Sequence, residues 1–185
     1  PMMEACLRSR THYLDITGEI PVFETGAALG EKAARAEIMM MPGTGFDVVP
    51  TDCMAVFLKE QLPDATHLQL AFASQGTRFS RGTALTMTEM LGQSSAVRQN
   101  GKITKVPLGH KSMTVEFADD FKRLVMTIPW GDVSTAYYSS GIPNIETYTA
   151  VHPKTYRYVK LQKYFGWFLR LPFVKARARK RVLSG

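Results

Sequence analysis

The sequence has little of what marks a disulfide-rich or zinc-binding protein. Its 185 residues include two cysteines, Cys6 and Cys53, and four scattered histidines. Neither residue type stands at the spacing of a zinc site, and two distant thiols are too few for a disulfide scaffold. We therefore expect two reduced thiols, no metal site and a cytoplasmic location.

Long apolar runs and the common catalytic motifs are absent as well. The longest apolar stretches fall far short of the ~20 residues that cross a bilayer, so we expect no transmembrane helix. The sequence contains no Gly-x-Ser-x-Gly, His-Glu-x-x-His or Walker motif. A hydrolase, a metalloenzyme and a nucleoside triphosphatase are therefore without support. The composition, 45% hydrophobic and 21% charged, is that of a globular protein.

Charge is unevenly distributed along the chain. Residues 154–185 contain ten lysines and arginines and no acidic residue, whereas residues 1–153 contain 13 basic and 16 acidic residues. A slightly acidic body is thus followed by a strongly basic tail, which also holds seven of the 19 aromatic residues. Because the body is acidic, the net charge of +7 does not indicate a nucleic-acid partner.

The first 52 residues predict part of a doubly wound α/β domain. The pattern runs from the end of a helix (2–10) through a strand (13–16) and an alanine-rich helix (22–36) to a second strand (38–41). A polar turn follows each strand, and the continuous apolar run of the second strand is typical of a strand buried on both faces.

Residues 53–153 predict an α+β domain with a mainly antiparallel sheet, and we place the boundary near residue 52. The expected elements are a helix over 53–62 capped by Asp52, a strand at 67–74, a helix from Ser80, and strands at 112–117, 123–128 and 144–151. The tail, 154–185, predicts a helix to Leu169, an interruption at Pro172 and a second basic segment.

Three loops are candidates for ligand binding. The loop Asp15–Glu19 follows the first strand, at the edge where open α/β sheets bind ligands, although an ordinary polar turn is the alternative. The loop Pro42–Asp52 combines two glycines, which allow close approach of the backbone, with the flat ring of Phe46. It is not a dinucleotide-binding fingerprint, because Val48 stands at the third glycine position, and a plain turn is again the alternative.

The third candidate, Ser80–Thr83, would begin a helix. It offers N–H groups, a hydroxyl and the Arg81 guanidinium, which together suit a carboxylate or phosphate. The alternative is a capped helix with a solvated arginine. Residues 130–146 are predicted as a long polar loop between strands, which indicates no particular reaction.

Four segments together resemble the saccharopine dehydrogenase-like oxidoreductases, in particular the branch of trans-acting enoyl reductases. They are THYLDITGE, PGTGFDVVPTD, SRGTALTMTEML and IPWGDVSTAYYSSGIPNIETY. The resemblance runs in order from about Pro1 to Leu171, and only the WGDVSTAYYSSGIPNIE block is specific by itself. It implies the C-terminal part of a Rossmann domain over 1–52, joined to an α+β substrate and dimerisation domain over 53–153. Because that family begins with a strand and a GxGxxG-type loop well before THYLDITGE, we expect a fragment lacking the N-terminal Rossmann half.

The resemblance also implies an activity. The full-length protein would transfer a hydride between NAD or NADP and an organic small molecule, such as an enoyl, imine or amino-acid group, while the fragment alone would be inactive. A homodimer is implied as well. The catalytic acid is unknown, with Asp132 and Tyr137 as candidates. The implied nicotinamide contacts are Asp15, Thr17, Gly18 and Glu19; the contacts between cofactor and substrate are Gly45, Phe46, Asp47 and Pro50; the substrate contacts are Arg81, Gly82 and Thr83.

A second class of function stays open. A catalytically silent scaffold or a peripheral membrane adaptor would keep the same fold. The basic aromatic tail suits an anionic membrane surface, since such binding needs cations together with apolar side chains. In the simpler interpretation the tail packs its apolar stripe on the domain and leaves its lysines in solvent. That stripe consists of Tyr158, Leu161, Phe165, Phe168 and Leu169.

Overall fold

The computed structural model describes residues 2–74, 92, 94–169 and 171–184. Their elements, in chain order, are α1 (Met2–Ser9), β1 (Tyr13–Leu14), α2 (Ile20–Ala28), α3 (Gly30–Arg35), β2 (Met40–Met41), α4 (Val49–Gln61), β3 (His67–Phe72), β4 (Ser95–Gln99), β5 (Lys102–Val106), β6 (Ser112–Ala118), β7 (Phe121–Thr127), α5 (Asp132–Ser140), β8 (Asn144–Ala150), α6 (Pro153–Leu169) and α7 (Pro172–Ser184). The expected mixed α/β class with a mainly antiparallel sheet is confirmed.

Two sheets form from these strands. β1 and β2 make a parallel pair, and the other six strands make a sheet in the order β5-β4-β8-β7-β6, in which β3 also pairs with β8. The chain divides into two compact units. The first holds the described residues of Pro1–Leu70, Val97–Thr104 and Pro129–Thr147; the second holds those of Ala71–Ala96, Lys105–Ile128 and Tyr148–Gly185.

The parallel pair agrees with the predicted α/β beginning of the chain, with α2 and α3 connecting its strands. Tyr13 lies opposite Met40, and Leu14 opposite Met41. The expectation of a second strand buried on both faces is wrong, because Met39 and Met41 are 41% and 47% exposed. In the described part of the chain the pair has two strands only, and Leu14 and Met41, which share one face of it, are 54% and 47% exposed.

Two helices differ from their predicted bounds. The single helix expected over 22–36 is α2 and α3, with a break at Leu29 just before Gly30, a residue that weakens a helix interior. The helix expected from residue 53 begins at Val49, because Pro50 fits the first turn, where no N–H is needed. Asp52 is consequently a first-turn residue of α4 and not its N-cap.

The prediction of a long polar loop over 130–146 is also wrong, because α5 occupies most of this segment. The helix ends at Gly141, whose φ of 71° is the left-handed conformation that glycine adopts at helix ends. Its valine, threonine and serine content gives weak helix propensity. Packing against α2 and α4 stabilises the helix instead, since α5 buries Val133 and Ala136 completely.

The hairpin of β4 and β5 was not expected from the pattern. Its turn is Asn100–Gly101, with φ values of 48° and 76°, which is the arrangement that Asn-Gly favours in a two-residue hairpin. By contrast, the predicted strands β3, β6, β7 and β8 and the helix α6 are confirmed within a few residues of their bounds. The helix predicted from Ser80 lies outside the described residues.

Each unit has its own buried residues. In the first, α4, β3, α5 and β8 meet around a cluster consisting of Ala55, Leu68, Leu70, Ala136, Ile142 and Ile145. In the second, β7, β8 and α6 contribute the buried residues Val125, Met126, Tyr148 and Val159. Among the helices described, none is both long and apolar enough to cross a membrane.

Candidate functional site

The loops that follow β1 and β2 are held together by Asp15, in the first unit. Its Oδ1 accepts hydrogen bonds from the N–H groups of Thr17, at 3.0 Å, and Gly43, at 2.8 Å. Its Oδ2 accepts the hydroxyl of Tyr13. Its carbonyl oxygen accepts the N–H and the hydroxyl of Thr44, at 2.7 and 2.8 Å. One residue at the end of β1 therefore fixes both loop 1 (15–19) and loop 2 (42–48).

The protonation states of Asp15 and Tyr13 follow from the same contacts. Partial burial by itself would raise the pKa of Asp15, but hydrogen bonds from Tyr13, Thr17 and Gly43 hold that pKa below its usual value. Donation to the carboxylate raises the pKa of Tyr13 to about 12, and burial acts in the same direction. At neutral pH the pair is a carboxylate and a phenol, and the carboxylate is directed at the chain's own backbone.

Two glycines allow the loops to touch. A Cβ built on Gly18 would lie 3.4 Å from Oδ2 of Asp47, and one built on Gly45 would lie 3.1 Å from Cβ of Ile16. Gly45 therefore faces loop 1 and not open space. The side chains of Ile16 and Phe46, one from each loop, are 76% and 89% exposed. They give the paired loops an apolar surface toward solvent.

A third segment, 130–132, packs against both loops. The indole Nε1–H of Trp130 donates to the carbonyl oxygen of Asp47 in loop 2. Gly131 follows, where a Cβ would lie 2.6 Å from the ring of Phe23 and 3.1 Å from the carbonyl oxygen of Gly18 in loop 1. No larger residue fits at position 131 without displacing the ring or the loop. Loop 1, loop 2 and residues 130–132 together form the candidate site.

Asp132 is the carboxyl of this site that is almost completely buried. It is 1% exposed, and its Oδ1 accepts the hydroxyl of Thr51 at 2.6 Å. Its Oδ2 is buried and has no hydrogen-bond partner among the residues that the structure describes. Burial raises the pKa of Asp132 to about 6 against the effect of the Thr51 hydrogen bond, and the charges of Asp52 and Asp47 add to the rise. A carboxyl that titrates near neutral pH is suited to accepting or releasing a proton.

Tyr137, the other candidate acid, is not brought together with Asp132. The two lie five residues apart in α5, which places them about 140° apart around the helix axis. The guanidinium of Arg98 stacks on the Tyr137 ring, 4.2 Å from its centroid. Arg98 is 3% exposed and donates to Oε1 of Glu24 at 2.8 Å. Tyr137 therefore belongs to an internal cluster that stabilises the first unit.

The remaining predicted residues have diverse positions. Glu19 is exposed just before α2, and its N–H donates to the hydroxyl of Thr17 at 3.2 Å. Pro50 is exposed in the first turn of α4. The predicted substrate contacts lie outside the described residues, so the structure places none of them: Arg81, Gly82 and Thr83.

Two side chains that donate hydrogen bonds to carboxylates of the site, those of Tyr13 and Thr51, were not predicted. Tyr13 stands two positions before Asp15, and alternation along a strand directs both side chains to one face, so this pair was open to prediction. Thr51, the donor to Asp132, is distant from it in sequence, and no local pattern indicates the pairing.

Comparison with known proteins gives no relative on which to base a function. No protein-family model matches the chain, and no curated protein matches it. In the described residues, no group of three or more histidine, cysteine, aspartate or glutamate side chains could hold a metal ion.

Proposed function

We propose that this chain is part of a saccharopine dehydrogenase-like oxidoreductase. It would transfer a hydride between NAD or NADP and an organic small molecule with an enoyl, imine or amino-acid group. The first 52 residues would then be the end of a Rossmann domain. The sequence resemblance supplies the class of reaction, and the arrangement of loops 1 and 2 supports the assignment of the site.

The observation that carries the proposal is the convergence of these loops at one end of a parallel strand pair. Ligands of open α/β sheets bind at the carboxyl ends of the strands, and loops 1 and 2 occupy that position after β1 and β2. Their exposed side chains, Ile16 and Phe46, offer an apolar surface to a flat ring. These features fit a nicotinamide group better than a phosphate, since the described loops carry no lysine or arginine.

The cofactor, when bound, would supply or accept the hydride. The residues of this chain would bind the nicotinamide ring and would hold and release a proton. Ile16 and Phe46 would cover the ring and exclude water from it. Asp15 would hold the two loops that carry these side chains together. Asp132 would hold a proton at Oδ2, the buried oxygen without a protein partner in the described ranges. Its pKa of about 6 allows that proton to be exchanged near neutral pH.

Titration with reduced nicotinamide mononucleotide tests the site directly, because this compound is the half of the cofactor that the chain would contact. We expect the backbone amides of Gly18, Gly45 and Phe46 to shift in ¹⁵N spectra at millimolar concentrations. Phe46→Ala should weaken the binding. Phe173→Ala removes another exposed phenylalanine, from α7 in the second unit, and should leave the affinity unchanged.

Two results would contradict the proposal. If no amide of loops 1 and 2 shifts, these loops are ordinary turns and a catalytically silent scaffold becomes the better interpretation. If Phe46→Ala and Phe173→Ala weaken binding equally, the compound associates with exposed aromatic rings in general.

A further inference from the structure

The helix α6 uses an unexpected face for its packing in the second unit. Val159 is buried, and its Cγ1 would lie 3.0 Å from a Cβ built on Gly109. Tyr156, half-buried, would lie 3.4 Å from the same Cβ. The packing face of α6 is thus the side that carries Val159 and Tyr156.

The apolar stripe of α6 lies on the other side of the helix. At about 100° per residue, Tyr158, Leu161 and Phe168 fall within one third of the circle, roughly opposite Val159 and Tyr156. They are 71%, 50% and 43% exposed. These three members therefore keep a large part of their surface in solvent, while Leu169 is half-buried and the side chain of Phe165 is not among those described.

The exposed apolar surface continues into α7. The rings of Phe168 and Phe173 meet edge to face, with centroids 6.0 Å apart, and Phe173 is 61% exposed. One further apolar residue of α7, Leu183, is 45% exposed. The two helices thus present leucine and aromatic side chains to solvent together.

Cations surround this surface. Lys154 and Arg157 are exposed in or beside the stripe on α6, and Arg177, Arg179 and Lys180 are exposed on α7. Lys160 lies toward the packing face instead, with its Nζ 5.4 Å from the centroid of the Tyr156 ring. Residues 154–185 contain no acidic side chain to pair with them. Exposed apolar residues flanked by cations are what an interfacial helix needs to bind anionic lipid.

We propose that α6 and α7 form an anchor that lies on an anionic lipid surface, with Tyr158, Leu161, Phe168 and Phe173 entering the headgroup region and the flanking cations contacting the headgroups. Charge complementarity selects this partner over a neutral membrane. The exposed leucines favour lipid over nucleic acid, because an aliphatic side chain can enter a bilayer interface but cannot stack on a base.

Vesicle flotation tests the anchor with the whole chain. We expect the chain to float with vesicles of 70% phosphatidylcholine and 30% phosphatidylglycerol and not with phosphatidylcholine alone. Binding should fall as salt increases, because headgroup attraction is screened. Binding that is equal on the two vesicle types, or absent from both at low salt, would overturn the proposal.

Paired variants separate the two contributions. Lys154→Glu with Arg157→Glu should lower the partition coefficient at least about 30-fold, since each cation near the surface contributes about 1 kcal/mol. Leu161→Ser with Phe168→Ser should also lower the partition coefficient. The binding that remains should be more sensitive to salt than that of the wild type. The matched control, Lys102→Glu with Lys105→Glu, makes the same change of net charge at exposed residues of β5 and should retain binding.

Three outcomes would exclude the anchor. Equal loss in the control pair would mean that overall charge is responsible. Tight binding of single-stranded RNA that Leu161→Ser with Phe168→Ser leaves unchanged, without vesicle binding, would mean that the tail binds nucleic acid. Dimerisation that the same pair abolishes, again without vesicle binding, would mean that a second copy covers the stripe.

Discussion

The buried carboxyl of Asp132 should make the stability of the fold depend on pH. Its pKa rises from the ordinary value of 3.8 to about 6, so the native state binds the proton more tightly than the unfolded state does. Between these two values the native state carries more protons, and stability falls as pH rises. At 1.36 kcal/mol per pKa unit, the ionised group destabilises the native state by about 3 kcal/mol above pH 6.

The variant Asp132→Asn removes this titration while its amide oxygen can still accept the Thr51 hydroxyl. Any cost of burying the amide N–H₂ is the same at every pH, so it cancels from a comparison between two pH values. We therefore expect the stability of Asp132→Asn relative to wild type to increase by about 2 kcal/mol between roughly pH 4 and pH 7.5, because at pH 4 the unfolded carboxyl is already partly ionised.

Urea unfolding followed by circular dichroism at both pH values measures this difference. Asp119→Asn is a suitable control, since it removes an exposed carboxylate from the turn between β6 and β7 and reports the effect of losing a surface charge. A stability difference between wild type and Asp132→Asn that is the same at both pH values would refute the reasoning. Asp132 would then be solvated or paired in the folded protein.

Three further changes test other parts of the structure. The 185-residue chain should bind whole NADH or NADPH no more tightly than reduced nicotinamide mononucleotide, at millimolar concentrations, whereas a longer chain with a GxGxxG-type strand and loop before Pro1 should bind them with micromolar affinity. Micromolar binding by the short chain in calorimetry would contradict the proposed place of the pyrophosphate. Gly45→Val should weaken binding of reduced nicotinamide mononucleotide by forcing loop 2 away from Ile16, which lies 3.1 Å from the added Cβ, and an unchanged affinity would make the loop a plain turn. Gly131→Ala should lower the free energy of unfolding by about 1–3 kcal/mol in urea titrations, because its Cβ would lie 2.6 Å from the Phe23 ring, and unchanged stability would show that the ring moves aside freely.

Sequence patterns predicted best where a local rule decides the structure. The alternation in His67–Phe72 corresponds to a strand with one buried face. The paired runs of β6 and β7 correspond to strands joined by a short turn, and β6 alternates between exposed and half-buried residues. The Asn100–Gly101 turn obeys an equally local rule, and the hairpin of β4 and β5 could have been predicted from it.

The patterns failed where contacts between residues far apart in sequence determine the structure. α5 has weak intrinsic propensity and forms against α2 and α4, which lie far away in sequence. The chemistry of Asp132 depends on the same assembly, because its burial and the Thr51 hydroxyl both come from tertiary structure. The sequence named Asp132 as a candidate but could not supply its pKa.

The contacts of Asp15 imply that the two loops open and close as one unit. A single residue accepts hydrogen bonds from the N–H groups of Thr17, Gly43 and Thr44, so any local opening that displaces Asp15 frees all three amides at once. Local opening should therefore expose these amides together, and their hydrogen exchange should be correlated. A molecule that touches either loop would consequently alter the dynamics of both.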